Sequence, residues 1–254
     1  MQLMVISIII PAYNEEQLIE HTIGQIKHSI NHVNNPEITW ELIVCDNNST
    51  DHTAKIAISK GAIVVKEPIN QISRARNKGA EKAKGEWLLF IDADSYPSKK
   101  LLVDAIELIS EGKYIGCGST IQVEDGTLFN KLRLERMNPF FRLLKLCGGA
   151  FILCNRDAFE TINGFSTDLF AYEEVDFVIR LKKYGRSIGK GFNILHQHPI
   201  VTSGRKGEYK FSSLLILFIS NIAAIILFAL YYILPKKFIQ KLGFRWLGYW
   251  YKVR

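Results

Sequence analysis

The sequence is short of cysteine, and the cysteines it has are not arranged for metal or redox chemistry. Its 254 residues include four cysteines, none of which forms a CxxC pair: Cys45, Cys117, Cys147 and Cys154. Structural zinc sites and dithiol redox centres use closely spaced cysteine pairs. The spacing therefore argues against both, and the apolar or Gly-containing surroundings of the four residues are typical of buried thiols.

The sequence has little net charge outside its last twenty residues. The net charge is +7; residues 235–254 hold six basic residues and no acid, which leaves +1 for residues 1–234. A nucleic-acid-binding protein spreads basic residues over a folded face, and residues 1–234 carry no such excess. We therefore expect no nucleic acid partner, and we predict that the basic segment lies at anionic lipid headgroups.

The first residues lack the features of a secretion signal. Met1 leads within four residues into the apolar run 5–10, and no basic region precedes that run. A run this short does not match the apolar core of a signal peptide. We therefore expect the domain that follows to stay in the cytoplasm.

Short apolar, β-branched runs alternate with amphipathic stretches, which predicts an α/β domain with a mostly parallel central sheet. The predicted strands are residues 5–10, 41–45, 62–66, 87–91, 115–122 and 151–154. The predicted helices are one after Asn14 as N-cap, one after Ser49 or Thr50 as N-cap, and residues 73–84, 99–110, 156–162 and 172–184. Periodicity is weak over residues 124–149 and is interrupted at Asn138-Pro139, so we predict a loop or lid there.

A long uncharged run predicts a C-terminal apolar membrane helix. Residues 211–234 carry no formal charge, and as a helix they would extend about 36 Å, enough to cross the hydrocarbon core. Residues 235–254 mix basic and aromatic residues, as interfacial segments do. We therefore divide the chain into a catalytic domain (1–210), a membrane segment (211–234) and a basic, aromatic interfacial tail (235–254). A single crossing would place six basic residues outside, so one crossing and a re-entrant hairpin both stay open.

Segments that carry polar residues follow three of the predicted strands where those strands end. They are Pro11-Ala12-Tyr13-Asn14-Glu15-Glu16 after the first strand, residues 46–51 after the second, and Asp92-Ala93-Asp94 after the apolar strand 87–91. The carboxyl ends of parallel strands meet at one edge of the sheet, where ligands bind. The sequence therefore predicts a single cleft, although a helix cap is an alternative role for Asp51 and, in part, for Asp46.

Asp92 and Asp94 form the most specific of these groups. Two carboxylates spaced i, i+2 at a strand end can place one oxygen donor on a hard cation and the other on a ribose or a water molecule. Mg²⁺ or Mn²⁺ held there would bridge diphosphate oxygens and neutralise a leaving nucleoside diphosphate. A solvated turn leading to Ser95-Tyr96-Pro97 is the alternative.

Four segments together resemble a known family. They are Ile8-Ile9-Ile10-Pro11-Ala12-Tyr13-Asn14-Glu15, Val44-Cys45-Asp46-Asn47-Asn48-Ser49-Thr50-Asp51, Ala75-Arg76-Asn77-Lys78-Gly79 and Phe90-Ile91-Asp92-Ala93-Asp94. Over about residues 5–198 the sequence resembles the family 2 inverting glycosyltransferases, whose GT-A fold is a Rossmann-like α/β fold.

The resemblance implies a nucleoside diphosphate sugar donor, with UDP or GDP as the nucleotide. By this resemblance Asp46 binds the base, and the segment Pro11-Ala12-Tyr13 with Glu15 lines the ribose. Asp94 is implied as the ligand of Mg²⁺ or Mn²⁺, with Asp92 close to both metal and nucleotide. For Arg76 two roles stay open, a nucleotide contact and a surface helix arginine.

The resemblance also implies a catalytic base at the start of a helix. Glu173-Glu174-Val175-Asp176 is similar to the acidic segment that supplies the base in the family, with Glu174 in place of the usual aspartate. An inverting transfer needs one carboxylate to take the proton of the acceptor hydroxyl. Glu174 is the first candidate and Glu173 the second. For Asp176 the alternative role is an internal ion pair with Arg180 at i, i+4.

Three further features resemble the family on the acceptor side. Gly148-Gly149 precedes a predicted strand, and Asn163-Gly164-Phe165 resembles a Gly-Gly-Phe turn with Asn163 in place of the first glycine. His198 stands where some relatives have a metal-binding histidine, with His196 as a second candidate. A structural or solvated histidine is the alternative for both.

The sequence thus predicts a metal-dependent inverting glycosyltransferase that is attached to the membrane and uses a lipid-linked or glycan acceptor. Two other classes stay open. A nucleotidyltransferase that forms a nucleotide sugar would share the fold, but its first strand should lead into a Gly-rich phosphate loop, and here Pro11-Ala12-Tyr13 follows. A non-catalytic membrane scaffold of the same fold is the third class.

Overall fold

The computed structural model describes residues 3–33, 35–125, 131, 136 and 138–204. In this part of the chain one eight-stranded mixed sheet has the strand order β3-β2-β1-β4-β7-β6-β8-β5. The strands are β1 (Met4–Ala12), β2 (Ile38–Asp46), β3 (Ile63–Lys66), β4 (Trp87–Ile91), β5 (Ser95–Tyr96), β6 (Tyr114–Val123), β7 (Phe151–Asn155) and β8 (Gly191–Thr202). The helices are α1 (Ile19–Asn31), α2 (Thr53–Ser59), α3 (Ile72–Lys82), α4 (Lys99–Ser110), α5 (Asn138–Leu144), α6 (Arg156–Thr161) and α7 (Glu173–Ser187).

The four strands β3, β2, β1 and β4 are parallel and form one half of the sheet. Strand β1 is buried on both faces, as its continuous apolar sequence predicts. Its register sets Ala12 beside Asp46, and it sets Ile9 beside Phe90, two residues before Asp92. The carboxyl ends of β1, β2 and β4 therefore open at one edge, as the sequence predicts.

Apolar cores cover both faces of the sheet. One core packs α1 and α4 against it through Ile19, Ile23, Leu101 and Leu102. The other core joins α3, α6 and α7 to the opposite face and includes a cluster in which the rings of Phe90, Phe159, Phe165 and Phe177 contact one another. Aromatic rings of this size contribute much of the buried apolar area, so they fix α7 firmly relative to β4.

The sheet is mostly parallel, as the sequence predicts, because β1 to β4 share one direction and β6 pairs with β8 in parallel. Two strands, β7 and β5, run in the opposite direction. Strand β7 lies between β4 and β6 and is antiparallel to both, and β5 is antiparallel to β8. Strand β7 is apolar on both faces. An apolar sequence of this kind predicts that a strand is buried, but it does not predict whether the strand is parallel or antiparallel to its neighbours.

The predicted N-caps of α1 and α2 are wrong. Helix α1 begins at Ile19, and Asn14 adopts a positive φ of 53° in the preceding loop. Helix α2 begins at Thr53, and its nearest side-chain acceptor is Asp51, which accepts a hydrogen bond from the Thr53 amide at 2.9 Å. Residue type alone suggests that Asn14, Ser49 and Thr50 are caps. In the structure these polar side chains instead join the two loops to each other.

The loop or lid predicted at residues 124–149 contains helix α5, which begins where we expected an interruption. Pro139 is tolerated there because the first turn of a helix needs no donor from its N–H groups. The Asn138 side chain accepts from the Ile121 amide at 3.0 Å and donates to the Ile121 carbonyl at 2.9 Å, which attaches the start of α5 to β6.

The predicted membrane segment (211–234) and interfacial tail (235–254) lie outside the described residues. Among the helices that are described, none combines the length and the apolar character needed to cross a bilayer.

Candidate active site

Two loops at the carboxyl edge of the sheet, residues 13–16 and 46–53, are hydrogen-bonded to each other. The Asn14 amide donates to Ser49 Oγ at 3.0 Å, and the Thr50 amide donates to Asn14 Oδ1 at 2.8 Å. The Glu15 amide donates to Thr53 Oγ1 at 2.8 Å. These bonds give the predicted nucleotide-binding edge a fixed shape before any ligand is bound.

The residues predicted to bind the nucleotide lie together along this edge. Pro11, Ala12 and Glu15 are buried, and Tyr13 is half-buried. Asp46, at the end of β2, is buried and accepts from the Ser49 amide at 3.0 Å. Asp46 therefore closes a local turn and does not cap α2, which begins at Thr53, and its contact with a base stays a prediction.

Asp92 and Asp94 follow β4 at the centre of the same edge. Asp94 is buried and its Oδ1 accepts from Ser95 Oγ at 3.2 Å. The Asp94 carbonyl accepts from the Ser203 amide at 2.9 Å, which brings the end of β8 to the metal segment. Strand β4 is buried over its whole length, so the backbone that carries both carboxylates is held rigidly.

Arg76 lies beneath these carboxylates with its side chain only 1% exposed. Its Nη2 donates to Asp92 Oδ1 at 3.1 Å and its Nη1 donates to Glu173 Oε1 at 3.0 Å. The guanidinium carbon stands 5.1 Å from the centre of the Phe165 ring, within the range of a cation–π contact. Arg76 therefore joins the predicted metal segment to the start of the predicted catalytic helix.

The alternative role of Arg76 as a surface helix arginine is wrong, because its side chain is buried. The helical positions Ser73, Arg76 and Ala80 share one face of α3, and all three are buried against the sheet. That periodicity, present in the sequence, was the signal for a buried arginine. A direct contact of Arg76 with nucleotide stays a prediction, whereas its contacts with Asp92 and Glu173 are observed.

Gly149 allows the guanidinium to lie where it does. A Cβ atom at this position would stand 2.0 Å from Arg76 Nη2, which is too close for two atoms that are not bonded. The predicted Gly148-Gly149 segment on the acceptor side is thus tied to the charge network by close packing.

Glu173 and Glu174 differ in their surroundings although they are adjacent. Glu173 is buried against Arg76, whereas Glu174 is half-buried at the first turn of α7. Burial and the neighbouring Glu173 carboxylate raise the pKa of Glu174 to about 8, and the positive charge of Arg76 opposes this rise. The carboxyl group of Glu174 therefore has a pKa close to neutral pH.

Asp176 forms the internal ion pair with Arg180 that was its alternative role. It is buried, and its Oδ2 accepts a hydrogen bond from Arg180 Nε at 2.7 Å and forms an ion pair with Nη2 of the same guanidinium. Arg180 Nη1 also donates to the Ile162 carbonyl at 2.6 Å. The i, i+4 pair anchors α7 to the turn after α6.

The segment 163–172, which leads into α7, is held by two side chains of α3 that we did not predict. Asn77 donates to the Phe165 carbonyl and accepts from the Phe165 amide, both at 2.9 Å. Gln71 Nε2 donates to the carbonyls of Thr167 at 2.9 Å and Leu169 at 3.0 Å. Sequence pattern gives no signal for such contacts because their partners are backbone atoms more than 80 residues away.

His198 lies on β8 and contacts α4 through a carboxylate. Its Nδ1 is 2.8 Å from Asp104 Oδ2. Metal-ligating histidines commonly have this arrangement, in which a carboxylate binds one ring nitrogen and directs the other. Metal ligation by His198 stays a prediction. Within the described residues, no group of three or more His, Cys, Asp or Glu side chains is clustered as a metal site.

Family comparison identifies the class to which this fold and cleft belong. Residues 7–162 match the model of glycosyl transferase family 2, and the chain belongs to that family. The glycosyltransferase class predicted from the sequence is thereby confirmed at the level of the family. The match includes β1, β2, α3 and β4, and therefore Asp46, Arg76, Asp92 and Asp94.

Curated relatives cover part of the chain. A putative teichuronic acid biosynthesis glycosyltransferase of Bacillus subtilis, TuaG, is 31% identical over 134 residues, 50% of this chain and 51% of the relative. The poly(ribitol-phosphate) β-N-acetylglucosaminyltransferase TarS of Staphylococcus aureus is 31% identical over 116 residues, 43% of this chain and 19% of the relative. The chain thus matches about half the length of the first and about a fifth of the second.

Solved structures show the same fold. S. aureus TarS 1–349 aligns with a TM-score of 0.59 and 21% identity over 79% of this chain and 60% of that chain. A Pyrobaculum calidifontis mannosyltransferase, in complex with GDP-Man and Mn²⁺, aligns with a TM-score of 0.61 and 20% identity over 85% and 61%. These likenesses confirm an α/β fold of the GT-A type.

Replacement of Arg76 should test whether the buried charge network holds the site together. We expect Arg76→Met to lower the free energy of unfolding by about 3–5 kcal/mol, because Asp92 and Glu173 would lose their buried cation. Lys78→Met is the matched control, since Lys78 lies on the same helix but is exposed and pairs only with Glu81; we expect a change below about 1 kcal/mol. Urea unfolding followed by circular dichroism measures both. Equal losses in the two variants would contradict the role of Arg76.

Proposed function

We propose that the chain is a metal-dependent inverting glycosyltransferase that moves a sugar from a UDP or GDP sugar to an acceptor hydroxyl. The observation that carries this proposal is the juxtaposition, through Arg76, of the carboxylates after β4 with the acidic start of α7. A donor bound at the first group and an acceptor bound at the second would meet across the cleft. The Mn²⁺ and nucleotide sugars bound by structural neighbours support the choice of ligands.

The residues present fit a divalent cation. Asp92 and Asp94 supply hard oxygen donors, and Mg²⁺ and Mn²⁺ in nucleotide sites are typically held by one or two carboxylates together with phosphate oxygens. Three clustered protein ligands are therefore not required. When bound, the cation would neutralise the diphosphate that leaves. Asp94 is the first candidate ligand, and Asp92 and His198 are the next.

Glu174 is the proposed base. It would take the proton of the acceptor hydroxyl while the acceptor oxygen forms a bond to the anomeric carbon and the bond to the diphosphate oxygen breaks. A pKa raised to about 8 by burial makes this carboxylate a stronger proton acceptor than an ordinary one. Glu173, which is bound to Arg76, would position the helix start instead of reacting.

For the acceptor we propose a lipid-linked glycan or phosphate, and for the enzyme a membrane attachment with the catalytic domain in the cytoplasm. The support is the uncharged run 211–234, which begins nine residues after β8 ends at Thr202. Nine residues extend at most about 30 Å. A membrane segment there would keep the cleft close to lipid substrates.

Loss of Asp94 should abolish metal-dependent nucleotide binding. We expect calorimetry to show that Mn²⁺ strengthens the binding of UDP to the wild type. For Asp94→Ala we expect Mn²⁺ to have no effect on UDP binding. Glu107→Ala is the control, because Glu107 is an exposed carboxylate on α4. UDP affinity that is unchanged in Asp94→Ala would remove Asp94 from the metal site.

Substitution of Glu174 should separate binding from catalysis. We expect Glu174→Gln to keep the nucleotide affinity of the wild type and to lose about 10²- to 10⁴-fold in kcat, which is the usual contribution of a general base. Glu173→Gln should instead weaken folding, because it removes a partner of buried Arg76. A Glu174→Gln enzyme that retains most of its kcat would return the role of base to Glu173.

The raised pKa of Glu174 also predicts the pH dependence of transfer. Only the ionised carboxylate can accept a proton, so kcat/KM should rise by about tenfold per pH unit at low pH and level off above pH 8. Initial rates measured across this range with saturating metal test the expectation. A wild-type profile that is flat through this interval would exclude Glu174 as the titrating base.

A further inference from the structure

Helix α5 presents apolar side chains to solvent. Phe140, Leu143 and Leu144 are 65%, 81% and 55% exposed, and their spacing of i, i+3, i+4 places them on one face of the helix. Ile179, on the neighbouring helix α7, is also exposed. Single exposed apolar residues are ordinary, but four large ones on two adjacent elements form a patch. We call these four residues the apolar patch.

The two helices are joined directly beside this patch. Lys182 Nζ donates to the carbonyls of Leu144 at 2.7 Å and Lys145 at 3.2 Å, so it closes the C-terminal end of α5. Ile179 lies one turn before Lys182 and therefore on the same side of α7. The apolar patch thus continues from one helix to the other.

Basic side chains lie beside the apolar patch. Lys145 follows α5, Lys182 and Arg186 are on α7, and Arg142 is on the opposite side of α5, two positions from Phe140 and from Leu144. Residues 138–150 and 177–190 contain no acid, and among the described residues none of these four cations forms an ion pair with a carboxylate. Burial and the nearby charges of Arg186 and Lys145 lower the pKa of Lys182, which shows that cations are close together here.

An apolar helix face with basic residues at its border is complementary to one kind of surface in particular, an anionic phospholipid bilayer. The apolar side chains would enter the boundary between headgroups and acyl chains, and the cations would contact lipid phosphates. The uncharged run 211–234 begins within about 30 Å of the end of β8, a strand that α5 contacts. Both features favour a bilayer at this side of the molecule.

The apolar patch also lies close to the proposed base. Cys147, three residues after α5, is buried near enough to Glu174 and to Lys182 for both charges to act on the pKa of its thiol. Gly149, two residues further, packs against Arg76. A bilayer seated on α5 would therefore lie beside the acceptor end of the cleft.

We propose that α5 and the facing side of α7 form a membrane-contact surface that seats on anionic phospholipid and directs the Glu174 side of the cleft toward the bilayer. This surface is separate from the run 211–234, and its relevance to a lipid-linked acceptor rests on the proposed function.

A fluorescent probe on α5 tests the contact in the full chain. The four native cysteines are buried, so a cysteine introduced as Leu143→Cys can be labelled selectively with an environment-sensitive dye. Ile58→Cys is the matched control, because Ile58 is a 60% exposed apolar residue on α2, which packs at the β2–β3 edge of the sheet. Both labelled proteins are added to phosphatidylcholine vesicles with about 30% phosphatidylglycerol and brominated acyl chains.

We expect quenching at position 143 to exceed quenching at position 58 by about threefold or more, because only α5 should reach acyl depth. Replacing Lys145 and Arg186 with glutamine, or omitting phosphatidylglycerol, should reduce quenching at position 143. Equal quenching at the two positions, or none at either, would overturn the proposal. A dye shift that grows with protein concentration without lipid would assign the surface to a second copy of the chain and overturn it as well.

Binding of UDP with Mn²⁺ to the same labelled proteins keeps the two proposals apart. If binding is intact and position 143 is not quenched, the membrane-contact surface is wrong while the proposed function stands. If position 143 is quenched and no nucleotide binds, the surface is supported and the proposed function is contradicted.

Discussion

The buried guanidinium of Arg76 is the interaction on which the site depends. It is the cation between Asp92, which follows the central strand β4, and Glu173, which begins α7. Either carboxylate would be costly to bury without it. Because a buried ion pair often contributes little net stability when it is compared with well-packed apolar residues, its value here is the fixed distance between two elements that carry different parts of the chemistry.

Helix α3 extends this constraint to the whole acceptor side. Gln71, Arg76 and Asn77 hold, in turn, the loop at Thr167–Leu169, the start of α7 and the turn at Phe165. The aromatic rings of Phe165 and Phe177 stack at 4.1 Å beneath them, so the polar contacts are backed by a rigid apolar core. A helix that follows the parallel strands β1 and β2 thereby sets the position of the proposed base.

The sequence was a good guide wherever burial or strand ends determine the structure. The apolar runs located β1, β2 and β4, and parallel pairing then brought Ala12, Asp46 and Asp92 to one edge. The direction of a strand within the sheet and the contacts between loops could not be predicted in the same way. Strand β7 is apolar on both faces, and the caps proposed at Asn14 and Thr50 proved to be partners of each other across two loops. Their geometry depends on residues distant in sequence, which periodicity does not describe.

The structure also separates two carboxylates that the sequence left as alternatives for the base. Adjacent acids in a partly buried site disfavour each other's ionisation, so the surroundings must decide which of them keeps a proton. Arg76 donates a hydrogen bond to Glu173 and acts on Glu174 only through its charge. Glu173 is thus directed into the protein, away from any acceptor. Glu174 retains some exposure and a pKa raised to about 8, the combination that a proton acceptor at the cleft requires. The same arginine that connects the two halves of the site therefore favours Glu174 over Glu173 as the base.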